Sequence, residues 1–69
     1  MEHTPIASST ISSAGYDRET MTMEVLFVNG TKYQYFDVPE HIFQALLSAP
    51  SAGAYLNSNI RNTYRYAKC

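Results

Sequence analysis

The chain has no tryptophan, one cysteine, three glycines and three prolines, and charged residues make up only 16% of it. Each scarcity closes off a class of protein. A single thiol, Cys69 at the last position, excludes an intrachain disulfide framework. His3 and His41 stand isolated and Cys69 has no neighbouring thiol, so no metal-ligand spacing is present. No apolar run approaches the ~20 residues a membrane-spanning helix needs, and the N-terminus lacks the basic-then-apolar pattern of a signal peptide. Met1-Glu2-His3 reads as a cytosolic start, and a lone thiol suits a reducing compartment. The expectation is a cytoplasmic protein with no cofactor, metal or membrane partner. A hydrophobic share of 45% excludes disorder over most of the length.

Sixty-nine residues make one domain, 1–69. A chain this short buries only roughly 60% of its unfolded surface, so apolar packing or self-association must hold it together. Net charge is −1, which argues against a non-specific polyanion binder. The charges are nevertheless polarised. All six acids lie in residues 1–40 against Arg18 and Lys32, whereas residues 41–69 carry Arg61, Arg65 and Lys68 and no acid. One end can therefore meet phosphate, although three cations are few beside the roughly six to ten phosphate contacts of a strongly salt-sensitive binder.

The central run, Met21 to Phe36, holds two alternating segments around Asn29-Gly30, a strong hairpin signal. Loop length decides where Tyr33 and Tyr35 point. A two-residue loop pairs Leu26 with Tyr33 and puts the tyrosines opposite Met23, Val25 and Phe27. A three-residue loop, Val28-Asn29-Gly30, pairs Val25 with Tyr33 and Met23 with Tyr35, bringing the tyrosines onto the apolar face. The second register gives the cleaner division, with Thr22, Glu24, Lys32 and Gln34 sharing the outer face. It leaves Leu26 and Phe36 outside.

Around this hairpin, residues 1–7 read as a loosely ordered lead-in. Residues 8–14 are small and suit an edge strand, followed by a turn at Gly15–Thr20. Pro39 and Glu40 suit a helix start. Ile42, Ala45, Leu46 and Ala49 form a stripe that Phe43 and Leu47 widen, and Pro50 ends it. Ser51 caps a shorter helical segment, Ala52 to about Ile60. Asn62 to Tyr66 alternates and reads as a fourth strand. The expected fold is α+β: a small antiparallel sheet of three to four strands, one main helix packed on one face, and a short second helical segment.

In order along the chain stand Ser8-Ser9, Gly15-Tyr16-Asp17, Thr20, Val25-x-Phe27, Asn29-Gly30, Tyr33-x-Tyr35 and Val38-Pro39. They are followed by Leu46, Ala49, Ser51, Gly53, Asn57, Ile60-Arg61 and Tyr64. This ordered set resembles the KTSC domain, over nearly the whole length. The resemblance implies a free-standing bacterial or phage protein, of a family also fused to the C-terminus of some lysyl-tRNA synthetases. RNA binding has been suggested for the family, largely from that fusion. The resemblance therefore implies a binding module rather than an enzyme, and brings no agreed active-site residues to carry over.

The residues themselves point the same way. There is no Gly-x-Ser-x-Gly elbow, and turns, outer strand faces and helix starts account for Asp17, Glu19, Glu24, Asp37 and Glu40. Single-stranded RNA is bound by aromatics that stack bases beside arginines and amides. The C-terminal segment holds all three kinds: Asn57, Asn59, Arg61, Tyr64, Arg65, Tyr66 and, beyond them, Lys68. The plainer reading makes the asparagines helix caps and the tyrosines packing residues. Tyr33 and Tyr35 are secondary candidates, since the preferred register turns them inward. The expected function is a non-catalytic module binding RNA or another nucleic acid. The alternative is a homo-oligomer that binds a protein or holds a nucleotide-like ligand.

Overall fold

A computed structural model describes residues 1–69. Five strands form one antiparallel sheet in sequence order: β1 (His3–Pro5), β2 (Ile11–Asp17), β3 (Thr22–Phe27), β4 (Lys32–Tyr35) and β5 (Tyr66–Lys68). Between β4 and β5 the chain forms α1 (Glu40–Ser48), α2 (Ala52–Tyr55) and a π-helical turn (Leu56–Ile60). The class is α+β, but the sheet has five strands, not three to four.

The hairpin adopts the three-residue loop. Val25 faces Tyr33 and Met23 faces Tyr35. Phe27 N–H donates to Thr31 at 2.8 Å, and Gly30 N–H donates back to Phe27 at 3.0 Å. Gly30 sits at φ 91°, open to glycine and strained for other residues. Alternation then puts Met23, Val25, Tyr33 and Tyr35 on the inner face, where all but the half-buried Tyr33 are buried.

Three expectations are corrected. Residues 1–7 were expected to be loose, yet His3–Pro5 pairs with Ser13–Gly15 as an edge strand. The small-residue strand is therefore internal rather than an edge, and it runs to Asp17. Its small residues mark close cover. Ala14 is buried in the core, and a Cβ on Gly15 would stand 2.6 Å from the Glu2 carbonyl oxygen. A bulge at Ser12 lets Ile11 and Ala14 both face inward, three residues apart. The last strand is Tyr66–Lys68 rather than 62–66, because Thr63 and Tyr64 N–H groups still bond the Ile60 carbonyl and keep the chain turning.

The core lies between the inner face and the helices, built on Ile11, Met23, Val25, Val38, Leu46 and Ile60 with Phe43, Ala52 and Leu56 around them. Pro39 and Ala49 bound α1, and Ser51 Oγ accepts the Ala54 N–H at 3.3 Å to cap α2. The Tyr16 ring stacks on Phe43, centroids 5.4 Å apart, and its hydroxyl donates to the Val38 carbonyl. That bond ties β2 to the start of α1. On the outer face Leu26 is half-buried, and Phe36 lies under the Arg65 guanidinium, 5.7 Å from its centroid.

Candidate functional site

The β4–β5 ladder assembles an aromatic surface. Tyr66 stands opposite Tyr35, and Lys68 opposite Tyr33. Phe27 and Tyr66 each meet Tyr33 edge-on, at 5.7 and 5.8 Å between centroids. Tyr66 also lies 5.8 Å from Tyr35. Burial pushes the Tyr35 hydroxyl above the usual phenol range, against the lowering effect of Arg61, so it stays a neutral hydroxyl.

The π-helical turn supplies the opposing wall. Its wider winding closes with Arg61 N–H donating to the Leu56 carbonyl at 2.9 Å. Leu56 and Ile60 are buried while Asn57 and Arg61 face outward, and Arg61 Nη1 donates to Asn57 Oδ1 at 3.3 Å. Between this wall and the tyrosines is a cavity of about 350 Å³, lined by 11 residues. Arg61 and Lys68 are its cations, and no carboxylate lines it. A neighbouring cavity of about 440 Å³ lies between Ser8–Thr10 and Ser51–Ala54, shares Thr10 and Asn57 with the first, and holds no charged side chain.

The structure brings Asn57, Arg61, Tyr66 and Lys68 together with Tyr33 and Tyr35 around one cavity. Both sets of candidates thus belong to one place. Three candidates lie elsewhere. Asn59 Nδ2 donates to the Tyr55 carbonyl at 3.4 Å, Tyr64 packs against the core, and Arg65 pairs with Asp37 at 3.0 Å on the exposed side. Thr10, Phe27, Asn29, Thr31 and Leu56 complete the lining and were not foreseen as site residues. For Phe27 the signal was present: the register that turns Tyr33 inward puts Phe27 on the same face.

No group of three or more His, Cys, Asp or Glu side chains is gathered in metal-binding fashion. No helix is long and apolar enough to cross a membrane.

Comparison with known proteins agrees with the fold and gives its family. The model of the KTSC domain matches residues 7–64. The fold is similar to the crystal structure of a KTSC domain protein from Yersinia pestis, with TM-score 0.94 and 34% identity, covering 99% of this chain and 96% of that one. A protein from Stutzerimonas stutzeri is 40% identical over 67 residues, 96% of this chain and 94% of its own. A lysine–tRNA ligase from Nostoc punctiforme is 33% identical over 58 residues, 84% of this chain but 10% of the ligase. The match runs from the serine-rich loop through the hairpin and the π-helical turn, and on it the chain belongs to the KTSC domain family.

Proposed function

We propose that the chain is a non-catalytic binding module for single-stranded nucleic acid, RNA foremost, and that one unstacked nucleotide enters the cavity between β4–β5 and the π-helical turn. The observation that carries this reading is the combination in one cavity of an aromatic floor, two cations and no carboxylate. Tyrosine faces accept a base by stacking, and Arg61 and Lys68 suit the flanking phosphates. A volume of about 350 Å³ is at the small end of the roughly 300–1,000 Å³ of small-molecule sites, a size for one nucleotide rather than a folded strand. The similarity to a segment of a lysine–tRNA ligase adds support, since that enzyme by name works on RNA. The proposed setting is the cytoplasm of a bacterial or phage-infected cell, a reducing compartment suited to the exposed Cys69 thiol.

Fluorescence anisotropy with short labelled RNA at low and moderate salt tests the reading. Two phosphate-binding cations predict a log–log salt slope of about −1.4, and Arg61→Ala with Lys68→Ala should abolish most of it. Absence of salt-dependent binding at tens of micromolar protein overturns the proposal.

A second reading, self-association, is favoured by one observation. β5 is a terminal strand whose three residues are all exposed, and its outer edge can take another strand. Light scattering tests it, and a constant monomer mass across concentration removes it.

A further inference from the structure

We infer that the Tyr35 hydroxyl meets the polar edge of the bound base, so that Tyr35 serves the ligand through its oxygen and not through its ring. The inference rests on the nucleic-acid reading. Tyr35 is only 3% exposed, and its side chain belongs to the core cluster. A ring so covered leaves little face on which a base can stack. Stacking falls to Tyr66, which stands exposed at the sheet edge, and to the half-buried Tyr33. The Tyr35 hydroxyl bonds no donor or acceptor of the chain, and the surface left to it lies on the cavity. Tyr16 shows the usual arrangement, its hydroxyl donating to the Val38 carbonyl.

A phenol oxygen set among core side chains without a protein partner does nothing for the fold, since phenylalanine would fill the same place without a polar atom to satisfy. Its use is therefore to be sought in the cavity it borders. Arg61 and Lys68 are exposed at the rim, where phosphates stay in solvent, and the base is the part of a nucleotide that reaches the floor. Every base carries nitrogen or oxygen atoms on its edge, and a neutral hydroxyl both donates and accepts. The contact is thus open to any base and closed to an apolar ring of the same outline, which would leave the hydroxyl without a partner.

Tyr35→Phe keeps the ring and removes the oxygen alone, and melting curves with anisotropy titrations read its two effects. The melting temperature should be kept or raised, whereas in Tyr16→Phe, which loses a bond of the fold, it should fall. Binding of a short labelled oligouridine should weaken about tenfold in Tyr35→Phe. A second oligomer, with each uracil replaced by 2,4-difluorobenzene, keeps the phosphates and the ring outline without the polar edge. The wild-type protein should prefer oligouridine over this oligomer, and in Tyr35→Phe that preference should shrink about tenfold. A lower melting temperature in Tyr35→Phe shows that the hydroxyl holds the fold and overturns the inference. Unchanged oligouridine affinity, or an unchanged preference between the two oligomers, also overturns it and leaves the nucleic-acid reading standing. No binding of the wild-type protein to oligouridine overturns both.

Discussion

His3 reaches across Gly15 to Glu24: its Nε2 lies 2.6 Å from Glu24 Oε1, and its Nδ1 lies 2.8 Å from Ser13 Oγ. His3, Gly15 and Glu24 stand in one cross-strand row of β1, β2 and β3. The imidazole fills the place that a side chain at Gly15 would take, 2.9 Å from where its Cβ would be. Gln34 Nε2 also donates to Glu24, at 3.0 Å, so one carboxylate on β3 joins residues of β1 and β4.

The Glu24 network predicts acid sensitivity. Hydrogen bonds from Gln34 and then His3 hold the Glu24 carboxyl below its ordinary value of 4.5. A depressed folded-state pKa contributes stability that is fully present above the ordinary value and is lost as pH falls through the folded value. Urea midpoints should therefore drop as pH is lowered from about 5 to about 3. Glu24→Gln should flatten that drop, and an equal slope in both proteins would show that Glu24 is not its source.

Gly15→Ala should detach β1. The added methyl meets the Glu2 carbonyl oxygen and the His3 ring, and backbone cannot give way cheaply. A loss of about 1–3 kcal/mol is expected in denaturant unfolding, together with faster amide exchange at Thr4 and Ala14, the pair through which β1 bonds to β2. His3→Ala, which removes the network and leaves the space, should cost about 1–2 kcal/mol.

Gly30→Ala tests the hairpin loop. Nothing stands within 4 Å of a Cβ there, so the penalty comes from φ 91° alone. A destabilisation of about 1 kcal/mol is expected, larger for Gly30→Val and smaller for Gly30→Asn. Chemical denaturation of the three variants ranks them.

Tyr66→Ala and Leu46→Ala should separate binding from folding. Leu46 is fully buried, and its truncation should cost about 2–5 kcal/mol of stability. Tyr66 is 57% exposed at the sheet edge, so its loss should change stability by no more than about 1 kcal/mol. Its loss should weaken RNA binding by about 1–3 kcal/mol if it stacks a base. Paired melting curves and anisotropy titrations read both quantities.

The hairpin register could be read from the chain because alternation and a glycine suited to positive φ agree at Val28-Asn29-Gly30. The main helix was equally legible from its stripe and its bounding prolines. β1 was not, because His3-Thr4-Pro5 has no apolar alternation. Its pairing depends on Gly15, a neighbour twelve positions from His3 that carries no side chain. The π-helical turn was hidden for another reason: Leu56–Ile60 has the composition of an ordinary helix end. Tyr66 and Arg65 looked like one cluster in the sequence. Extended backbone sends adjacent side chains to opposite faces, so Tyr66 joined the cavity while Arg65 turned to Asp37 and Phe36.

β4 lies between β3 and β5 in the sheet, and its Tyr33 and Tyr35 serve at once as hairpin partners and as cavity floor. The two sides of the cavity therefore differ in their freedom to change. A substitution in the floor is also a substitution in the fold, whereas Asn57, Arg61 and Lys68 are exposed and stand clear of the core. Under the proposed nucleic-acid reading, a laboratory selection for altered ligand preference should collect its mutations at the rim while the tyrosines stay in place.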